Sequence, residues 1–213
     1  MRPPESWQRA RLTLGIAIVT AVAWLIPSTL GLGDVAAIWG GFIPARVGGV
    51  TGDEGLAPLF LTPFTATLVH AGFVHLAFNL LFLLFCGRAV ENIVGGRGLL
   101  ILYLTGALAA AAAQYAVEPS DTTPMVGASG AISAVLGTYA ILFGRNRVKI
   151  ANPTLALWAN ALWLAAAWVG LQLLVGFTLG MGVARIAIAA HIGGFFAGLL
   201  LAKPLLLLRY RKA

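Results

Sequence analysis

Ser129, His75, His191 and Asn79 are the residues whose types suit hydrolytic chemistry. Together they would supply a hydroxyl nucleophile, imidazoles able to take its proton, and an amide donor for a developing oxyanion. Ser129 stands in Gly127-Ala128-Ser129-Gly130, at the mouth of an apolar stretch that runs to about Gly144. A polar loop with Asp121, Thr122 and Thr123 precedes it. Alone, this motif is weak. Small residues at a helix start serve close packing equally well, and exposed N–H groups there can stabilise an oxyanion or merely be capped. The three histidines, His70, His75 and His191, lie in or beside apolar stretches. Taken singly, each is as well explained by a satisfied packing histidine as by function.

The surrounding elements decide what these residues can do together. Of 213 residues, 60% are hydrophobic and 10% charged, with a mean hydropathy of +0.91. That composition marks an all-α, polytopic membrane protein. One cysteine, Cys86, excludes an intramolecular disulfide and a cysteine metal cluster. Apolar spans fall at about 12–30, 64–86, 98–117, 128–144, 155–178 and 186–208, which predicts six helices in one domain, 1–213. Gly95-Gly96, Pro119, Pro124, Asn152-Pro153, Gly180 and Gly182 punctuate them. Ala21-Val22-Ala23 resembles a signal-peptidase site, but the apolar run continues to Ile26, so a retained helix is expected. Residues 31–63, rich in Gly and Pro with interleaved aromatics, predict a structured or interfacial element.

Basic residues set the orientation. With six spans, 12 of the 14 Lys and Arg share the side of the two termini, and only Arg46 and Arg185 fall opposite. Both termini are therefore expected in the cytoplasm. The net charge of +7 is a topology signal, and nucleic acid is not needed to explain it.

Depth joins the polar residues. Ser129 precedes Arg145 by 16 residues, or ~24 Å of helix, in a hydrocarbon layer ~30 Å thick. His75 precedes Arg88 by 13 residues and His191 precedes Lys203 by 12, or ~20 Å and ~18 Å. Asn79 lies one turn below His75 on the same face. Three helices thus bring Ser, His, His and Asn to one outer-leaflet layer. Gly194 and Gly198 form a small-residue step that would let the last helix approach Gly130, Ala134 and Gly137 of the fourth. Packing or dimerisation alone, with His191 a bystander, is the plainer alternative.

His70, His75 and Asn79, then Gly127-Ala128-Ser129-Gly130, then Ala190-His191 with Gly194 and Gly198, resemble the rhomboid family of intramembrane serine proteases. The resemblance covers the whole six-helix core and implies the minimal bacterial form. It implies Ser129 as nucleophile, His191 as base, and His75, Asn79 and the Ser129 N–H as oxyanion donors. His70, Gly127, Gly130, Gly194 and Gly198 would be structural supports, and Glu91 with Arg97 is similar to the family's cytoplasmic Glu…Arg stretch. The fifth helix and the 179–184 loop would form a side gate and cap, with Phe78, Phe177 and Met181 as candidate gate or cap residues. Three positions depart from the pattern. Leu61 and Thr62 stand where a Trp-Arg pair often anchors the first loop. Ser133 stands where many members stack a Tyr on the catalytic His, so the Ser133 hydroxyl or a water is expected to orient His191. Trp158, Trp163 and Trp168 are read as lipid-facing or interfacial.

The expected activity is a serine endopeptidase cleaving transmembrane segments of membrane proteins, multi-pass in a bacterial plasma (inner) membrane. No cofactor or metal is implied, since one cysteine and no in-span carboxylate beside the histidines make a zinc protease site hard to assemble. Two other readings are a non-catalytic rhomboid-like escort of transmembrane segments and a small transporter. Escorts typically lack the Ser or the His, and no paired repeats suggest a transporter. The orientation is testable with single cysteines in a Cys86→Ala background. An impermeant reagent on intact cells should label Thr122→Cys and spare Asn146→Cys; the reverse pattern would invert the topology.

Overall fold

The computed structural model describes residues 6–49, 55–144, 152–178 and 187–211. The basic cluster at 145–149, the 179–184 loop with Met181, and Arg185 lie outside the described residues, as does the Phe177 side chain. The helices are α1 (Arg11–Thr29), α2 (Gly33–Gly40), α3 (Pro44–Val47), α4 (Thr62–Thr65), α5 (Phe73–Phe82), α6 (Arg88–Val117), α7 (Ser129–Phe143), α8 (Pro153–Thr178) and α9 (Ile188–Tyr210). Among the described residues the β structure is one isolated bridge, Phe42 with Met125.

Among the described residues, four helical stretches are long and apolar enough to cross a membrane: Arg11–Thr29, Phe73–Val117, Thr154–Leu171 and Ile188–Tyr210. The second has 45 residues; straight, it would reach ~68 Å, over twice the ~30 Å of hydrocarbon. It is not a straight rod. A π-helical turn, Leu83–Gly87, joins α5 to α6, and Gly95 leaves helical geometry at φ 77°, ψ 166°. Only glycine takes that backbone easily, and a Cβ there would lie 2.8 Å from Arg209 Nη1.

The second span begins later than the expected residue 64. Residues 62–68 form α4 and a 3-10 turn, and the helix starts at Phe73. Tertiary hydrogen bonds draw this stretch into the first loop: Thr65 Oγ1 donates to Gly40 O at 2.6 Å, and Gly127 N donates to Ala66 O at 2.8 Å. The first loop also has an anchor of its own in place of a Trp-Arg pair at Leu61 and Thr62. Arg46 is buried, and its Nη2 donates to Ala57 O at 2.9 Å.

Glu91 ties the helix ends together. Its carboxylate accepts Leu12 N at 3.0 Å, Thr13 N at 2.8 Å and Thr13 Oγ1 at 2.7 Å. It thereby caps the start of α1 with negative charge from another helix, where the dipole favours it. Tyr210 Oη donates to Ile93 O at 3.2 Å, and Arg209 lies over Gly95. The start of α1 and the end of α9 therefore sit at one end of the bundle. Arg97 is exposed.

The short helix α7 is the centre of the packing. It has 15 residues, and 12 of them are buried. Apolar almost all round, it is the helix the others enclose. Small residues make the enclosure tight. A Cβ on Gly106 of α6 would strike Ala134 and the Ala131 backbone of α7, and one on Gly130 of α7 would strike Ala110 of α6. A Cβ on Gly194 or Gly198 of α9 would strike the carbonyls of Gly130 or Ala134, and one on Gly137 of α7 the carbonyl of Phe195. Thr138 Oγ1 adds a hydrogen bond to Gly198 O at 2.8 Å.

Because the atom facing Gly198 is backbone oxygen, no side-chain rotation relieves an added methyl. Gly198→Ala should lower stability by about 1–3 kcal/mol through overpacking, read as a lower unfolding midpoint in detergent. An unchanged midpoint would show that α7 and α9 are not in backbone contact.

Candidate active site

Ser129 is the first residue of α7 and His191 lies in the first turn of α9, so two helix N-termini meet at the site. His191 Nε2 is 2.7 Å from Ser129 Oγ, and both side chains are buried. Which atom donates follows the imidazole tautomer. His191 Nδ1 has no hydrogen-bond partner among the described residues.

The loop entering α7 is pinned before it reaches Ser129. Phe42 and Met125 exchange hydrogen bonds of 3.0 and 2.8 Å, and Ala45 N donates to Asp121 O at 3.0 Å. Gly127 then adopts φ 113°, a conformation that L side chains avoid. A Cβ on Gly127 would lie 2.6 Å from His75 Cε1 and 2.7 Å from its Nε2, so the missing side chain is what lets the His75 ring lie against this backbone. Asn79, one turn below, donates through Nδ2 to His75 O at 3.0 Å. His70 is buried, and its ring lies 5.0 Å, centroid to centroid, from that of His75 at a tilt of 60°. Its Nε2 lies 3.5 Å from Ala128 N, a long contact.

His70, His75, Ser129 and His191 line one cavity of about 620 Å³. Asp34 of α2, Gln114 of α6 and Asp121 line it as well, so it holds a buried hydroxyl–imidazole pair beside further donors and polar walls. Gln114 is buried, and its Nε2 donates to Glu118 Oε2 at 2.8 Å. Among the described residues, no three or more His, Cys, Asp or Glu are placed to hold a metal.

A profile described as Rhomboid domain matches residues 60–208 of the 213. The chain belongs to the rhomboid family. It is 30% identical over 193 residues to "Rhomboid protease GlpG" of Pectobacterium atrosepticum, covering 90% of this chain and 61% of that protein. It is 32% identical over 143 residues to "Rhomboid protease GluP" of Bacillus subtilis, covering 66% of this chain and 25% of that one. With "Rhomboid-related protein 2" of Mus musculus the identity is 32% over 133 residues, covering 62% of this chain and 43% of the relative. The chain thus spans from a quarter to about three-fifths of these relatives' lengths. It is an integral, multi-pass membrane protein of a family of intramembrane proteases.

One expectation within this rhomboid site needs correction. Trp168 is not lipid-facing: it is 3% exposed, against 71% for Trp163 and 41% for Trp158. Its Nε1 donates to Ser133 Oγ at 2.8 Å, and its ring lies 6.3 Å from that of His191 at 69°. Ser133 donates to Ser129 O at 2.7 Å, and its hydroxyl makes no hydrogen bond to His191. The sequence carried a usable signal. Tryptophans five residues apart are rotated by ~140° on a helix, so the three cannot share one lipid-facing stripe. Trp168 falls seven residues after Ala161, which is 1% exposed, and shares its inward face.

Gly127→Ala should cost about 1–3 kcal/mol from its backbone conformation, and the clash should push the His75 ring out of the cavity. The measurement is the thermal unfolding midpoint in detergent; a wild-type midpoint would mean that this loop and His75 have room to spare.

Proposed function

We propose that this chain is an intramembrane serine endopeptidase that cleaves transmembrane segments of membrane proteins in a bacterial plasma membrane. The observation that carries the reading is the buried 2.7 Å hydrogen bond between Ser129 and His191, in a chain whose curated relatives are named rhomboid proteases. We read Phe73–Val117 as two crossings that meet at Gly95, and Ser129–Phe143 as a short central one. That makes six crossings in one domain spanning 1–213, with both termini cytoplasmic.

A serine hydroxyl attacks poorly until a base takes its proton. In the reactive tautomer Ser129 Oγ–H donates to His191 Nε2, and the ring's own proton sits on Nδ1. As Oγ bonds to the scissile carbonyl carbon, Nε2 takes the hydroxyl proton and the carbonyl oxygen becomes an oxyanion. Collapse breaks the C–N bond, and His191 returns the proton to the leaving amine. Water, activated by the same imidazole, then hydrolyses the acyl ester and restores Ser129. The oxyanion is assigned to His75, Asn79 and the Ser129 N–H. As the first residue of α7, Ser129 has an N–H with no intrahelical partner, at the positive end of the helix dipole.

An escort that only binds transmembrane segments needs no hydroxyl held against an imidazole, and the paired Ser129 and His191 weigh against that reading. The test is purified protein in liposomes with a panel of single-span membrane proteins. Wild type should cleave at least one, and Ser129→Ala and His191→Ala, each checked for fold, should not. His75→Ala and Asn79→Ala should each lower turnover by ~10²–10³-fold, as for loss of one oxyanion donor. Cleavage at the wild-type rate by folded Ser129→Ala or His191→Ala would refute the dyad.

A further inference from the structure

Three helices meet at the indole of Trp168. The ring sits T-shaped against Phe82 of α5 at 4.4 Å and beside His191 of α9 at 6.3 Å, while its N–H reaches Ser133 of α7. A tryptophan N–H can only donate, and a serine hydroxyl has a single proton. The order of the chain is therefore settled: Trp168 N–H donates to Ser133 Oγ at 2.8 Å, and Ser133 O–H donates to the carbonyl of Ser129 at 2.7 Å. All three residues are buried. Hydrogen bonds in series in a low-dielectric interior polarise one another, and this series ends on the residue that carries the nucleophile.

His191 needs such help. In a triad, a third group bonded to Nδ1 holds the imidazole in place; here Nδ1 has no hydrogen-bond partner among the described residues. The ring is held at Nε2 by Ser129 and flanked by the indole at a separation and angle typical of tilted aromatic pairs.

We propose that Trp168 is a positioning residue for the Ser129–His191 pair. Through the Ser133 hydroxyl it fixes the first turn of α7, and with its ring it limits rotation of the His191 imidazole. The inference rests on the dyad reading above. Because the N–H comes from α8 while Ser129 and His191 belong to α7 and α9, the order of the dyad depends on how α8 is seated. A displacement of ~1 Å at a catalytic group costs ~10²-fold in rate, so losing this tether registers in turnover without any change in the residues that touch substrate.

The experiment is cleavage kinetics in liposomes for wild type, Trp168→Phe, Ser133→Ala and the double variant, normalised to the folded fraction. Trp168→Phe keeps a ring beside His191 and removes only the donor. Each single variant should lower kcat by about tenfold or more while KM stays within about twofold, the mark of an interaction that serves the chemical step. The double variant should be no worse than the poorer single one, since both changes break the same bond. Wild-type kcat in Trp168→Phe, a loss confined to KM, or losses that multiply in the double variant would overturn the proposal and leave the dyad standing. Cleavage persisting in Ser129→Ala would instead remove the dyad, and this inference with it.

Discussion

Backbone contact between α7 and α9 is the constraint on which the rest of this structure depends. Ser129 and His191 carry short side chains from two helices, and a 2.7 Å bond between them needs helix axes closer than ordinary side chains permit. Gly137, Gly194 and Gly198 remove the side chains that would hold those axes apart. In a bilayer there is no hydrophobic gain from bringing apolar helices together, so dispersion contact and interhelical hydrogen bonds must supply the attraction. The Thr138 bond to the Gly198 carbonyl is one such term. The same small residues that let the helices associate set the distance at which a hydroxyl meets an imidazole.

A second constraint follows from the first. Enclosing α7 puts its N-terminus, with unpaired N–H groups, inside the protein rather than in water, where polar groups need partners. The first loop and the Asp121–Gly127 segment supply the scaffold, through the Phe42–Met125 bridge and the Gly127–Ala66 bond. Arg46, buried in that loop, holds it to Ala57. The cavity that results carries polar side chains, among them Asp34, Gln114 and Asp121, on walls that are largely apolar, an arrangement that would let water-dependent chemistry proceed beside apolar surroundings. Irregular backbone at such depth is tolerated where it is buried in protein or lines a cavity.

Much of this was legible from spacing. Helix rise from Arg88, Arg145 and Lys203 placed His75, Ser129 and His191 at similar depth, and the Gly194–Gly198 step named the face of α9 that meets α7. What escaped were features that depend on tertiary partners. Residues 64–72 read as the start of the second span, yet bonds to Gly40 and Gly127 hold this stretch in short turns that precede α5. The resemblance pairs Glu91 with Arg97, but Glu91 partners the start of α1, 78 and 79 positions away in sequence. Ser133 departs from the family pattern, and its partner Trp168 reads as lipid-facing or interfacial because aromatic residues on an apolar helix look alike until their angular positions are worked out. Hydropathy sees only the apolar body of a tryptophan; its N–H is what seeks a buried acceptor.

The most direct measurement is covalent labelling of the membrane-embedded protein with an electrophilic serine-hydrolase probe, the adduct located by peptide mass spectrometry. If His191 activates Ser129, the adduct lies on Ser129 in wild type and is largely lost in His191→Ala. An adduct on another serine, or labelling of Ser129 at an undiminished rate without His191, would contradict the account.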